Sequence, residues 1–302
     1  MPKKVVFILG IGRSGSTLLD LMLGSHPECF SMGEICKVPE IYRKNKAIKG
    51  NQFWEESFDE KEAKMLAVGL SNHRVNKYIP LKYERFIREL LKQDQMLNPY
   101  SLIFKKVKES VLIDSSKYVD WVSQKLTARE FKSGQIDPYV MFLIRDGRAV
   151  LNSYLRKFPD RTVQTISNNW LRRMKGSQEL YEKFPEERKM IVRYEKLASE
   201  TEATLESICN LLAIEYTPAM MEYWKNEHNM IAGGQGARYI ASKYQGKQAE
   251  VQGKVEATHG DYYDKLGLAI KLDLRWQREL SPENLAEFHR IVGDYNKPYE
   301  WN

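Results

Sequence analysis

Residues 5–19, Val-Val-Phe-Ile-Leu-Gly-Ile-Gly-Arg-Ser-Gly-Ser-Thr-Leu-Leu, constrain the fold more than any other stretch. An unbroken apolar run predicts a strand buried on both faces, as in parallel sheets covered by helices. Glycines then turn the chain into a helix that begins at Ser16. The amino end of a helix offers free N–H groups and the positive end of its dipole, so it suits an anion. Gly10 to Thr17 fits the phosphate-binding pattern G-x-x-x-x-G-K-[ST], except that Ser16 stands where the lysine belongs. Gly15 permits close backbone approach, the Ser16 and Thr17 hydroxyls add hydrogen-bonding capacity, and the cation within the loop is Arg13.

Three further apolar runs, Val111–Ile113, Tyr139–Ile144 and Lys189–Tyr194, read as strands of the same kind. Helical patterns fall between and after them at Ser16–Leu23, Glu60–Leu70, Lys82–Lys92, Val119–Phe131, Gly147–Arg156, Ser167–Tyr181 and Thr201–Leu212. The alternation predicts a single α/β domain over residues 1–302, a P-loop-like parallel β-sheet flanked by helices. Residues from about 40 to 109 are too many for a simple crossover and are expected to form a helical cap insertion. Residues 231–260, rich in Gly, Gln, Lys and Ala, read as a loop long enough to be mobile. A last helix is expected over Pro282–Val292, with Ser281 as its cap.

Composition narrows the class. The 302 residues are 42% hydrophobic and 29% charged, with a formal net charge of +7 that suits an anionic partner. Two basic stretches, at 43–49 and 105–108, read as solvated surface, and no interleaving of aromatic and basic residues marks a nucleic-acid binder. Cys29, Cys36 and Cys209 form neither a C-x-x-C nor an even set, which points to reduced thiols. The apolar run behind Lys3 and Lys4 is too short for a signal peptide, and no later run is long enough to cross a membrane. The expectation is a cytoplasmic protein.

A second strand-to-helix junction carries cations. In Ile144-Arg-Asp-Gly-Arg-Ala-Val-Leu-Asn-Ser153, Arg145 ends the strand and Ser153 follows eight positions later in the helix, with Arg156 and Lys157 beyond. Ligands of open α/β sheets sit at the carboxyl ends of the strands, where both junctions fall.

Arg13-Ser-Gly-Ser-Thr-Leu-Leu together with Arg145…Ser153 resembles the sulfotransferases that use 3′-phosphoadenosine 5′-phosphosulfate (PAPS) and release 3′-phosphoadenosine 5′-phosphate (PAP). The likeness is nearest to the tyrosylprotein and carbohydrate branch. It implies that Arg13, Ser14, Gly15, Ser16, Thr17 and Leu18 hold the 5′-phosphosulfate, and that Arg145, Ser153 and Lys157 hold the 3′-phosphate at a separate corner. Arg275-Trp276 resembles a Lys-Trp pair of that branch, and Gly233-Gly-Gln-Gly-Ala-Arg238 a Gly-Asn-x-x-Arg element of bacterial relatives. By these matches Arg275 and Arg238 are further cofactor contacts. Tyr194-Glu195-Lys196-Leu197 resembles a Tyr-Glu-Asp-Leu element read as structural.

The same resemblance assigns the chemistry. Glu34, 21 residues after Arg13 in a Met-Gly-Glu context, corresponds to the branch's catalytic glutamate, and burial among Phe30, Met32 and Ile35 would make it a stronger base. Glu40 is the rival carboxylate. Lys117, just past the second of these strands, corresponds to the lysine at the bridging oxygen of the leaving phosphate, and Asp114 is expected to cap nearby N–H groups. No metal is implied. His26 reads as structural, and the other four histidines have no catalytic setting. The acceptor is a hydroxyl of a small molecule, carbohydrate, lipid or peptide. Trp54, Tyr78 and Tyr83 point to an aromatic lining for it. On the residues alone, an atypical P-loop kinase and a non-catalytic polyanion-binding protein remain alternatives.

Overall fold

The computed structural model describes residues 2–71, 98–246, 255, 259 and 262–301. Its centre is a five-stranded parallel sheet built from β1 (Lys3–Gly10), β2 (Cys29–Gly33), β3 (Val111–Lys117), β4 (Ile136–Ile144) and β5 (Lys189–Arg193), in the order β2-β3-β1-β4-β5. The chain runs from the central β1 to one edge, returns, and then continues to the other. Its direction reverses beside β1, so the carboxyl ends of β3, β1 and β4 open onto one crevice.

The side chains of β1 show why the run is apolar throughout. Val5, Phe7 and Leu9 enter the core on one face of the sheet, and Val6 and Ile8 that on the other, all fully buried. Alternate residues of a strand point to opposite faces, so a strand covered on both sides has no polar row.

The first helix, α1 (Ser16–Leu23), follows β1, and α2 (Val38–Asn45) and α3 (Glu60–Leu70) follow β2. α2, α3 and short helices at Gln52–Glu56 and Pro99–Ile103 lie in the described part of the 40–109 segment, and their apolar residues join the core that holds Phe7. The α3 helix opens on a capping box, in which Asp59 accepts from Glu62 N–H and the Glu62 carboxylate accepts from Asp59 N–H. Beyond β3 lie α4 (Val119–Lys125), then α5 (Gly147–Lys157) and the long α6 (Val163–Glu182) after β4. After β5 come α7 (Thr201–Leu212), α8 (Gln235–Tyr244), α9 (Tyr262–Leu266) and α10 (Pro282–Val292), the last capped by Ser281 Oγ on Asn284 N–H.

Several expectations change. β2 is an additional strand; its Cys-Phe-Ser-Met-Gly has no β-branched residue to announce it. The helix expected over Val119–Phe131 is two, α4 and Arg129–Lys132, because Ala128 between them is extended. Part of the expected 231–260 loop is α8. Tyr78, Tyr83, His73 and the helix expected at Lys82–Lys92 lie outside the described residues.

Candidate active site

The turn between β1 and α1 is built on two residues with left-handed backbone. Arg13 has φ 71°, and Gly15, the N-cap of α1, has φ 90°. A Cβ on Gly15 would stand 2.4 Å from Tyr194 Cδ2, so the position needs glycine on both counts. Ser14 is fully buried, and its Oγ has no hydrogen-bond partner among the described residues. Thr17 Oγ1 accepts from Gly234 N–H at 2.6 Å, tying the loop to the start of α8.

Arg13, Gly15, Ser16, Thr17 and Leu18 line a cavity of about 650 Å³ at the carboxyl ends of the strands. So do Glu34, Lys117, Arg145, Ser153, Lys157 and Arg275. Of the predicted residues, Ser14 and Arg238 do not line it; Arg238 is half-buried on α8.

The two arginine corners adjoin instead of standing apart. Arg13 Nε donates to Ser153 Oγ at 2.9 Å, and Arg145 Nη1 donates to the Arg13 carbonyl at 2.8 Å. Arg145 stacks over Tyr194, its guanidinium carbon 4.1 Å from the ring centroid, and its buried Nε has no partner among the described residues. Asp146 is not its ion-pair partner. That carboxylate caps α5 through Arg148 N–H and pairs with the Arg148 guanidinium at 2.7 Å.

Glu34 and Lys117 meet. Lys117 Nζ donates to Glu34 Oε1 at 2.7 Å and to the Ser115 carbonyl at 2.8 Å. Phe30, Met32 and Ile35 are buried, and the Glu34 carboxylate pairs with this ammonium. Lys117 has φ 69°, a second strained non-glycine residue in the cavity wall beside Arg13. The carbonyls of Gly10 and Lys117 both accept from Arg173 Nη2 of α6, which holds the ends of β1 and β3 together.

Beneath the pair lies a buried carboxylate. Asp20 of α1 accepts from Ser31 Oγ of β2 at 2.6 Å and from Ser115 Oγ of β3. Burial pushes its pKa up to about 7 against the pull of the two serines and Lys117. Asp114 accepts from Ser116 N–H, Tyr100 Oη and Trp121 Nε1, the structural role expected of it.

Other candidates leave the site. Glu40 is exposed and pairs with Lys44 on the surface of α2. Trp54 is a core residue stacked on Phe58, not a cavity wall. His26 accepts from Glu28 N–H at Nδ1 and so donates from Nε2 to the Glu215 carbonyl, a structural bridge.

Four residues outside the sequence-based site belong to this region. Tyr194, read as structural, lines the cavity under Arg145. His259 lines it too, with Nε2 3.4 Å from Arg13 Nη2. Burial, then the charges of Arg13, Arg156 and Arg275, pushes its pKa down to about 3, so the ring is a neutral acceptor. Arg173 braces the strand ends, and Asp273 faces three arginines. Tyr194 and Asp273 had local cues, the Tyr-Glu-Lys-Leu match and a place two residues before Arg275-Trp276; the other two are visible only in three dimensions.

The profile described as Sulfotransferase family matches residues 5–218, which span the loop, Glu34, Lys117, Arg145 and Ser153. The chain belongs to the sulfotransferase family. As a member it is a transferase, and its five-stranded parallel sheet with flanking helices is the fold of other sulfotransferases. The sulfotransferase domain from the curacin biosynthetic pathway is 18% identical, with a TM-score of 0.56 over 99% of each chain. The sulfotransferase domain of the Synechococcus PCC 7002 olefin synthase is also 18% identical, with a TM-score of 0.54 over 85% of this chain and 94% of that one. None of the curated proteins matches the sequence. Among the described residues, no helix of this sulfotransferase is long and apolar enough to cross a membrane.

Proposed function

We propose that this sulfotransferase moves a sulfuryl group from PAPS to an acceptor hydroxyl, with Glu34 as general base. One observation carries the reading: the amino end of α1 with Arg13, the Arg145–Ser153 corner and the Glu34–Lys117 pair all line one cavity. The fit to a nucleotide with phosphate at both ends is supported by the glycine-bearing loop, by the buried Nε of Arg145 with no partner among the described residues, and by the excess of cations over carboxylates on the cavity wall.

Arg13 and the backbone of 14–18, with the Ser16 and Thr17 hydroxyls, would hold the 5′ end. Arg145 and Ser153, with Lys157 and Arg275, would hold the 3′-phosphate. Arg238 is left out of this assignment because it lies away from the cavity wall. PAPS supplies an activated sulfuryl group whose leaving group is a phosphate. The residues of the chain do the rest. Lys117 Nζ holds Glu34 Oε1 and leaves Oε2 to take the acceptor's proton; the same ammonium is the cation available to the leaving oxygen. The 21-residue spacing from Arg13 to Glu34 supports the likeness to the tyrosylprotein and carbohydrate branch. The acceptor is a hydroxyl on a small molecule, carbohydrate, lipid or peptide.

Calorimetry tests the donor. PAP should bind in the presence of EDTA, and ATP with Mg²⁺ should not bind comparably. Binding of ATP–Mg²⁺ without PAP would make the chain an atypical P-loop kinase instead. Binding of any polyanion with a steep salt dependence and no preference for PAP would make it a charge-driven binder.

A further inference from the structure

The segment Lys271-Leu-Asp-Leu-Arg275 carries a carboxylate into the cation cluster. Asp273 is 14% exposed at its side chain and lines the cavity. Arg275 grips it in a fork, Nε to Oδ1 and Nη2 to Oδ2, both at 2.8 Å. Arg145 Nη2 lies 3.5 Å from Oδ2 and Arg156 Nη2 lies 3.9 Å from it. Arg145 also donates to the Asp273 carbonyl at 3.2 Å. Burial alone would raise the carboxyl's pKa, but Arg275, Arg145 and Arg156 together hold it well below the usual carboxylate range.

The distances divide the three arginines. The Arg275 fork is a strong bidentate pair, whereas the contacts of Arg145 and Arg156 to the carboxylate are longer than good charge-assisted hydrogen bonds. An oxyanion with more charge and a third oxygen would satisfy Arg145 better than this carboxylate does. Arg145 and Arg156 each also have a buried Nε with no partner among the described residues.

We propose that Asp273 is a built-in counter-anion: it stays on Arg275, neutralises the cluster while no nucleotide is present, and competes with the nucleotide's terminal phosphate for Arg145. It thereby weakens nucleotide binding and speeds product release. The inference rests on the PAPS reading for the identity of the nucleotide, but not for the competition itself. A site that must give up an internal partner binds its ligand less tightly by the fraction of time the partner is absent.

The test is Asp273→Asn, which keeps the shape and removes the charge, measured by calorimetry with PAP and separately with inorganic phosphate. Removing the carboxylate's charge from beside Arg145 should tighten both ligands roughly tenfold and slow PAP dissociation to match. If neither ligand binds more tightly, or if both bind more weakly, Asp273 only positions Arg275 and the proposal is overturned. If phosphate gains while PAP binds neither protein, the counter-anion stands and the PAPS reading falls. Should Asp273→Asn fail to fold with its arginines unpaired, the double variant Asp273→Asn/Arg156→Gln is compared with Arg156→Gln alone. The same gain is expected there, and its absence overturns the proposal.

Discussion

Lys117 Nζ and Glu34 Oε1 are 2.7 Å apart although 83 residues separate them in the chain. The contact follows from the sheet. β2 and β3 are parallel neighbours with Gly33 opposite Asp114, so Glu34, just past β2, and Lys117, the last residue of β3, emerge side by side. Below them, Asp20 of α1 binds Ser31 and Ser115 and thereby links the phosphate-loop helix to both strands. Glu34, Lys117 and the loop between β1 and α1 thus share one buried support.

Replacing Glu34 by Gln removes the proposed proton acceptor while keeping a hydrogen-bonding partner for Lys117. Transfer of radiolabelled sulfate to acceptors in an extract of the native organism should fall by about 10²–10⁴-fold. PAP affinity should be nearly unchanged. Full turnover in Glu34→Gln would remove this residue from the chemistry.

Lys117→Met keeps the aliphatic stem and removes the ammonium. Transfer should slow by about 10²–10³-fold, on the order of 2.7–4 kcal/mol of lost barrier lowering, as when a preorganised oxyanion donor is removed. The same assay reads this out. A variant that transfers sulfate at the parental rate would show that another cation serves the leaving group.

Gly15 and Gly134 form a controlled pair. Both have positive φ, 90° and 71°, but a Cβ at Gly134 meets nothing within 4 Å whereas one at Gly15 meets the Tyr194 ring. Gly134→Ala should cost about 1–2 kcal/mol of stability from backbone strain alone. Gly15→Ala should cost about 1–3 kcal/mol more from overpacking and should lose PAP binding. Chemical denaturation and calorimetry measure both effects; equal costs would contradict the close approach of the Tyr194 ring to Gly15.

Asp20 sets a pH dependence of stability. Its folded pKa, raised to about 7 from an ordinary 3.8, means that its stabilising contribution is complete below the unfolded value and is lost as pH rises through 7. The slope approaches about 1.4 kcal/mol per pH unit between those limits. Asp20→Asn stays neutral, so its stability relative to the parent should improve from pH 5 to pH 8 in urea titrations. Glu130, also pushed up to about 7 by burial, keeps its own slope in both proteins. A constant difference between the two proteins across that range would show that Asp20 does not titrate there.

The sequence by itself determined the strand–loop–helix cradle, the α/β class, four of the five strands and the Arg145…Ser153 corner. Each of these is a local matter: apolar runs, glycine turns, helix starts and short spacings are written within a few residues. Only the tertiary structure decided that the two arginine corners touch, that Glu34 pairs with Lys117, and that Tyr194, His259, Arg173 and Asp273 belong to the same region. Those contacts join residues dozens to hundreds of positions apart. They depend on strand order and on the reach of side chains across neighbouring strand ends, which no local pattern encodes. β2 shows the same limit from the other side, since five residues of weak strand propensity become a strand because β3 offers them an unpaired edge.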